Sequence, residues 1–224
     1  MPIKALFLNC SLKVSPRVSN TQALIDKLDG LLQGLGVETE SIRVLDYKVA
    51  FGAGMYEGGD DQWPLVLDKI RAVDILVVAT PVWLGERSSV AKLVAERLDA
   101  TTYQMDARGQ HEMYGKVGAA LVTGESDGGQ ASIKSILYDL SIAGFTIPPN
   151  ADCYWTNEAG LGGPYLEAEG DTCYFVNERV RWMAHNLAWF ARLLRENPIP
   201  VNLEALQAEA KKVSRAAKPI PPRE

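Results

Sequence analysis

Ser11, Lys13, Ser15, Arg17, Ser19, Asn20 and Thr21 crowd hydroxyls, an amide and two cations into one short stretch. It empties into the start of a helix, where unpaired N–H groups and the positive end of the helix dipole favour an anion. Neither G-x-x-x-x-G-K-[ST] nor G-x-G-x-x-G occurs in it, which argues against a nucleoside-triphosphate loop and a dinucleotide fingerprint. What remains is a cradle for one phosphomonoester, or an ordinary capped helix preceded by a polar loop. A second stretch, Thr80-Pro81-Val82-Trp83-Leu84-Gly85-Glu86-Arg87-Ser88-Ser89, sets an indole and aliphatic side chains where solvent is normally met. That suits a flat apolar ligand, with Gly85 admitting close backbone approach, or a subunit contact. The third, Thr123-Gly124-Glu125-Ser126-Asp127-Gly128-Gly129, offers backbone N–H groups to ring heteroatoms, or is a plain strand-to-helix turn.

Each stretch follows a short apolar run, at residues 4–8, 75–79 and 117–122, of the kind that forms a strand buried on both faces. Each also precedes a helical pattern. Leu24, Leu28, Leu31, Leu32 and Leu35 form the first, with Ser19 and Gln22 as a candidate capping box. Val90, Leu93, Val94 and Leu98 form the second, from about Ser89, and Ile133, Ile136, Leu137 and Leu140 the third, ending at Gly144. Between them lie an edge strand over residues 37–45, a glycine-rich segment over 51–59, and a helix opening near Pro64. Residues 145–147, extended past two prolines toward Tyr154, give the last strand, and residues 176–195 a long final helix that stops before Pro198. Strands alternating with helices imply right-handed crossovers and a parallel sheet covered on both faces. In such sheets ligands bind beyond the carboxyl ends of the strands, so the three stretches share one edge.

The chain has 224 residues, 47% of them hydrophobic, enough for one sizeable core. The pattern divides it into a main domain over residues 1–197 and a helical, basic, proline-containing extension over 198–224, whose last stretch, residues 211–224, sets Lys211, Lys212, Arg215, Lys218 and Arg223 against one acid, Glu224. No apolar run approaches the ~20 residues a bilayer requires, and no signal peptide opens the chain, so a cytoplasmic location is expected. Net charge is −5, which gives no electrostatic ground for nucleic acid or an anionic membrane. Cys10, Cys153 and Cys173 form no C-x-x-C pair, so neither a disulfide framework nor a metal site is expected. Cys10 reads as a small buried hydrophobe; Glu86, Arg87 and Glu125 read as solvated loop charges. His111 and His185 read as surface or packing residues, with no catalytic side chain among these groups.

Asn9-Cys10-Ser11-Leu12-Lys13 with Ser19-Asn20-Thr21, Ala79-Thr80-Pro81-Val82-Trp83-Leu84-Gly85, and Val122-Thr123-Gly124 with Gly128-Gly129 together resemble the NADPH-dependent FMN reductase branch of the flavodoxin-like superfamily. The resemblance runs from residue 3 to about residue 155. It implies an α/β fold, a doubly wound five-stranded parallel sheet in the order 2-1-3-4-5 with helices on both faces. By the same resemblance Ser11, Lys13, Ser19, Asn20 and Thr21 hold the phosphate of FMN. Pro81, Val82, Trp83, Leu84 and Gly85 line the isoalloxazine, and Thr123, Gly124, Glu125, Gly128 and Gly129 close over its pyrimidine edge. The implied reaction takes hydride from NAD(P)H through FMN to a quinone, azo, nitro or flavin acceptor, chemistry that requires no side-chain acid or base. An electron-transfer flavodoxin serving protein partners is the alternative, although Lys13 and Arg17 and the lone Trp83 differ from the usual acidic rim and paired aromatics. Residues 49–63 contain no cysteine, so the iron–sulfur cluster of some relatives is not expected. Residues 51–59 and 160–165 exceed a minimal flavodoxin and imply a homodimer with Tyr56, Trp155 and Tyr165 near its boundary, or a lid over the site.

Overall fold

The computed structural model describes residues 1–159 and 162–214. Gly160 and Leu161 of the expected lid or dimer segment, and Arg215, Lys218, Arg223 and the prolines around them, lie outside the described residues.

The strands are β1 (Ile3–Asn9), β2 (Val37–Arg43), β3 (Ile75–Trp83), β4 (Glu86–Arg87), β5 (Val117–Thr123) and β6 (Asp152–Trp155). The helices are α1 (Asn20–Gly34), α2 (Trp63–Arg71), α3 (Ser89–Asp99), α4 (Gly129–Ile142), α5 (Tyr174–Glu196) and α6 (Leu203–Val213). Five strands run parallel in the order β2-β1-β3-β5-β6, and β4 hairpins back onto the end of β3. This is the expected doubly wound sheet, with one short antiparallel strand added.

Strand alternation divides the core into two layers. Ala5, Phe7, Ile75, Val77, Ala79, Ala119 and Leu121 pack with Leu24, Leu28 and Leu32 of α1 and Val180, Ala184 and Leu187 of α5. Leu6, Leu8, Leu76, Val78, Ala120 and Val122 face the other way, onto Val66 and Ile70 of α2, Val90 and Val94 of α3, and Ile133 and Ile136 of α4. Burying a side chain of this size contributes about 1.5–3 kcal/mol, and the continuous apolar strands are the signature of a sheet covered twice.

Three details correct the sequence reading. Residues 145–147 contribute one isolated bridge, Val117 to Thr146, because Pro148 and Pro149 cannot donate to a ladder and Asn150 turns the chain at φ 54°. The last strand is β6, beyond that turn. At the start of α1, Ser19 Oγ accepts from Gln22 N at 3.2 Å, but the Gln22 side chain does not return the bond; its Oε1 accepts from Asn9 Nδ2 at 2.8 Å. Finally, Trp155 and Tyr165 are buried within the chain, ring centroids 5.3 Å apart and nearly perpendicular, so they pack on each other and present almost no surface of their own. Tyr56 alone of the three is exposed.

Candidate functional site

Beyond the carboxyl ends of β1, β3 and β5 lies a cavity of about 830 Å³, within the range of about 300–1,000 Å³ usual for cofactor sites. Its first wall is the loop between β1 and α1. Asn9 Oδ1 accepts from Ser11 N at 3.0 Å, turning the chain off the strand. Arg43, at the end of β2, donates from Nη1 to the carbonyls of Lys13, Val14 and Arg17 at 3.3, 3.1 and 2.8 Å. Asp46 accepts from Ser15 N and Oγ at 2.9 and 2.6 Å, and these bonds hold its carboxyl below its ordinary range. Sequence reasoning missed Arg43 and Asp46, whose only signal was their place after the neighbouring strand. The loop they shape brings Ser11, Lys13, Ser19, Asn20 and Thr21 to the cavity. Lys13 Nζ donates to the Val18 carbonyl at 3.1 Å, which keeps its charge against the loop. The first-turn N–H groups of α1 have no intrahelical carbonyl to meet.

The second wall differs from the expected loop. β3 continues through Thr80 and Pro81 to Trp83, and Val82 and Trp83 pair with Arg87 and Glu86. The hairpin turn is Leu84-Gly85, with φ of 51° and 77°, the left-handed pair that a tight two-residue hairpin demands. Leu84 is thus a non-glycine residue held where glycine or asparagine is favoured, and it is fully exposed, while Trp83 is 56% exposed. Pro81, Val82, Trp83, Leu84 and Gly85 all line the cavity. Glu86 and Arg87 are not solvated charges: Ser135 Oγ donates to Glu86 Oε2 at 2.8 Å, and Arg87 pairs with Asp139, tying the hairpin to α4. Ser88 Oγ donates to the Cys10 carbonyl at 2.7 Å and accepts from Ala91 N, so it joins the first loop to the start of α3.

In the third wall Thr123, Gly124 and Glu125 line the cavity, together with Ser126 and Asp127. Thr123 Oγ1 lies 2.9 Å from Thr21 Oγ1, linking this wall to the first. Gly124 N donates to the Trp155 carbonyl at 2.8 Å, so that N–H is spent on the sheet. Gly128 and Gly129 do not line the cavity. A Cβ at Gly128 would stand 2.5 Å from the backbone of Gly85, and one at Gly129 would meet Thr156 and Tyr154 within 2.8 Å. These two glycines let α4 seat against the hairpin and β6. Leu12, Pro164 and Tyr165 complete the lining; the last two return from far along the chain, held by Asn20 Oδ1 accepting from Leu166 N at 2.9 Å.

Cys10 is buried beneath this site, and desolvation pushes its thiol up despite nearby Arg87. Neither His111 nor His185 is among the lining residues. The cavity therefore joins the hydroxyls, amide and lysine around the start of α1 to exposed apolar surface at the hairpin, with Glu125 and Asp127 on the third wall.

The model of the NADPH-dependent FMN reductase family matches residues 3–159. The chain belongs to this family. The FMN reductase framework covers the three walls and all five parallel strands. Among its relatives is the 8-demethyl-8-aminoriboflavin-5'-phosphate synthase of Streptomyces davaonensis, 37% identical over 223 residues, spanning 96% of this chain and 87% of that one. A solved structure of RosB with bound 8-demethyl-8-formylriboflavin-5'-phosphate superimposes with a TM-score of 0.87 at 34% identity, covering 99% and 91% of the two chains. The divalent metal cation transporter MntH of Mycobacterium bovis is 39% identical over 199 residues, but this chain spans only 29% of that protein. Among the described residues no helix is long and apolar enough to cross a membrane. As a family member the chain is a flavoprotein of the FMN-dependent oxidoreductase class, with the flavodoxin-like fold.

Proposed function

We propose that the cavity holds FMN with its phosphate at the N-terminus of α1 and its ring against the Trp83–Gly85 hairpin, and that the protein takes hydride from NAD(P)H and delivers it to a small acceptor such as a quinone or a free flavin. The observation that carries this reading is the joining, in one cavity, of an anion-favouring helix end to an exposed indole and leucine. The donor set fits a phosphomonoester: Ser11, Ser19 and Thr21 supply hydroxyls, Asn20 an amide, Lys13 a charge, and the first turn of α1 its N–H groups. Bound FMN supplies hydride acceptance and donation. The protein's part is to fix the phosphate, seat the ring against Trp83 and Leu84, and leave one ring face open to donor and acceptor in turn. Exposed apolar surface at the hairpin tip lowers the free energy of a planar ligand that covers it. The reductase family assignment supports this role over electron transfer to protein partners.

Trp83→Ala tests the seat for the ring. With purified FMN-loaded protein, NAD(P)H oxidation with a quinone should fall about tenfold in kcat/KM, equivalent to about 1.4 kcal/mol of lost stabilisation, while the circular dichroism spectrum stays unchanged. Unaltered FMN affinity and turnover with every acceptor would place Trp83 outside the site.

The near full-length likeness to a synthase that makes an aminoriboflavin phosphate supports a second reading, in which the flavin in the cavity is itself the substrate. Mass spectrometry of the flavin after turnover separates the two: the reductase returns FMN of unchanged mass.

A further inference from the structure

The outer side of helix α5 carries a second cavity, of about 430 Å³, lined by Asn150, Arg181, Trp182, His185 and Asn186. It shares no residue with the cavity beyond the sheet. Four of the five stand on adjacent turns of α5, Arg181 with His185 and Trp182 with Asn186, each pair four residues apart and so on one helix face. The fifth comes from the lead into β6, where Asn150 turns the chain at φ 54°. Asn186 Nδ2 donates to the Pro149 carbonyl at 2.7 Å and ties the helix to that lead, so the two walls are fixed to each other.

What sets this cavity apart is that its polar groups are unspent. Arg181 uses only Nη1, on the Asn177 carbonyl and side chain at 2.8 and 2.9 Å. Among the described residues its Nε and Nη2, both His185 ring nitrogens, Trp182 Nε1, Asn186 Oδ1 and the Asn150 side-chain amide have no hydrogen-bond partner, and the lining contains no carboxylate. The depression of about 560 Å³ beside β2 is the contrary case. There Asp46 is spent on Ser15, Arg43 on three loop carbonyls, and Gln22 on Asn9, Asp26 and Ser41.

The unspent groups differ in kind, and each suits a different part of one ligand. Trp182 is exposed and offers an indole face. Arg179, outside the lining, lies 5.3 Å from its ring centroid, so a guanidinium holds one face and offsets the negative charge of the ring, which suits an anionic guest on the other. Arg181 brings a permanent positive charge and a fork of donors for a phosphate, with His185 one turn along to share it. Asn150 and Asn186 carry amides, the groups that read the donor and acceptor edge of a heteroaromatic base.

We propose that this cavity binds a mononucleotide, with its base stacked on Trp182, the edge of the base against the two asparagines, and its phosphate on Arg181 and His185. A plain aromatic would leave the arginine unmet, and a lone phosphate would leave the indole bare. The volume falls within the range of about 300–1,000 Å³ usual for small-molecule sites, and stacking of a base on an aromatic side chain is a common source of affinity.

Proton–nitrogen NMR of the full chain tests this, because each of the five tryptophans gives one indole N–H signal: Trp182 reports this cavity, and Trp83 reports separately any binding beyond the sheet. Titration with AMP should move the Trp182 signal, assigned from its loss in Trp182→Phe, to saturation with a Kd of about 1 mM or tighter. Adenosine and inorganic phosphate, each lacking one half of the ligand, should bind at least about tenfold more weakly, and Arg181→Gln should weaken AMP binding by about the same factor with unchanged circular dichroism. A Trp182 signal that stays in place at about 10 mM AMP, movement of Trp83 alone, adenosine or phosphate binding as tightly as AMP, or an Arg181→Gln variant with wild-type affinity overturns the proposal.

Discussion

Arg97 and Asp61 form an ion pair at 2.7 Å with both side chains fully buried. Arg97 also donates to the carbonyls of Ala50 and Gly54 at 2.7 and 3.1 Å and lies over Trp63, 5.5 Å from its ring centroid. Asp61 in turn accepts from the N–H groups of Ala50, Trp63 and Glu57 at 3.0–3.1 Å. Burial alone would raise the Asp61 carboxyl, but Arg97 and these three N–H groups outweigh it and hold it well below the usual carboxylate range. The pair thus organises the glycine-rich segment that carries exposed Phe51 and Tyr56. Asp61→Asn strands a buried guanidinium and should lower the unfolding free energy by about 3–5 kcal/mol, read as the urea midpoint. The folded pKa is depressed, so this contribution is complete above the unfolded value of about 3.9 and is lost as pH falls toward the folded one. Wild-type urea midpoints should therefore drop below about pH 4, and the Asp61→Asn variant should show a flatter fall.

At the scale of elements, the hairpin made by β3 and β4 is where local preference is overruled. Leu84 occupies left-handed backbone at φ 51° with its side chain in solvent, a conformation that costs a non-glycine residue about 1–2 kcal/mol. Ties from Glu86 to Ser135 and Arg87 to Asp139, and the close seat of Gly85 on Gly128, hold it there. Leu84→Gly should raise the unfolding free energy by up to about 1 kcal/mol, the strain relieved less the entropy glycine adds to the unfolded chain; a lower thermal midpoint would show that the turn is not strained. This hairpin was only half legible in the sequence. Its residues were recognisable as a ligand wall, but Thr80-Pro81 read as a strand end, whereas Pro81 sits opposite Thr123 in the β3–β5 register and the strand runs on. β1, β3, β5 and the helices after them were legible because their apolar spacing has no competing period. β6 was legible only as the far end of a strand drawn from residue 145 toward Tyr154, since it is short and begins at half-buried Asp152. Gly128 and Gly129 carry the right chemistry for a ligand loop, and their lack of a Cβ also serves the packing of α4 against the hairpin and Thr156.

Over the whole molecule, the cavity works because distant segments converge on it. The Thr21–Thr123 hydrogen bond joins the anion end to the third wall, the Ser88–Cys10 bond joins the first loop to α3, and Pro164 and Tyr165 close it from a segment some 40 residues beyond β5. On the proposed reading, the span between the α1 terminus and the hairpin suits a ligand with a phosphate at one end and a planar ring at the other. The family assignment and the near full-length relatives concern flavin phosphates, in keeping with that span. Fluorescence titration of the purified protein with FMN and with riboflavin tests this directly, because the two ligands differ only in the phosphate. Each hydrogen bond to a charged group contributes about 1.5–3 kcal/mol, so FMN should bind at least tenfold more tightly, and the preference should shrink in Asn20→Ala. Equal affinity for FMN and riboflavin would contradict the assignment of the α1 terminus as the phosphate site.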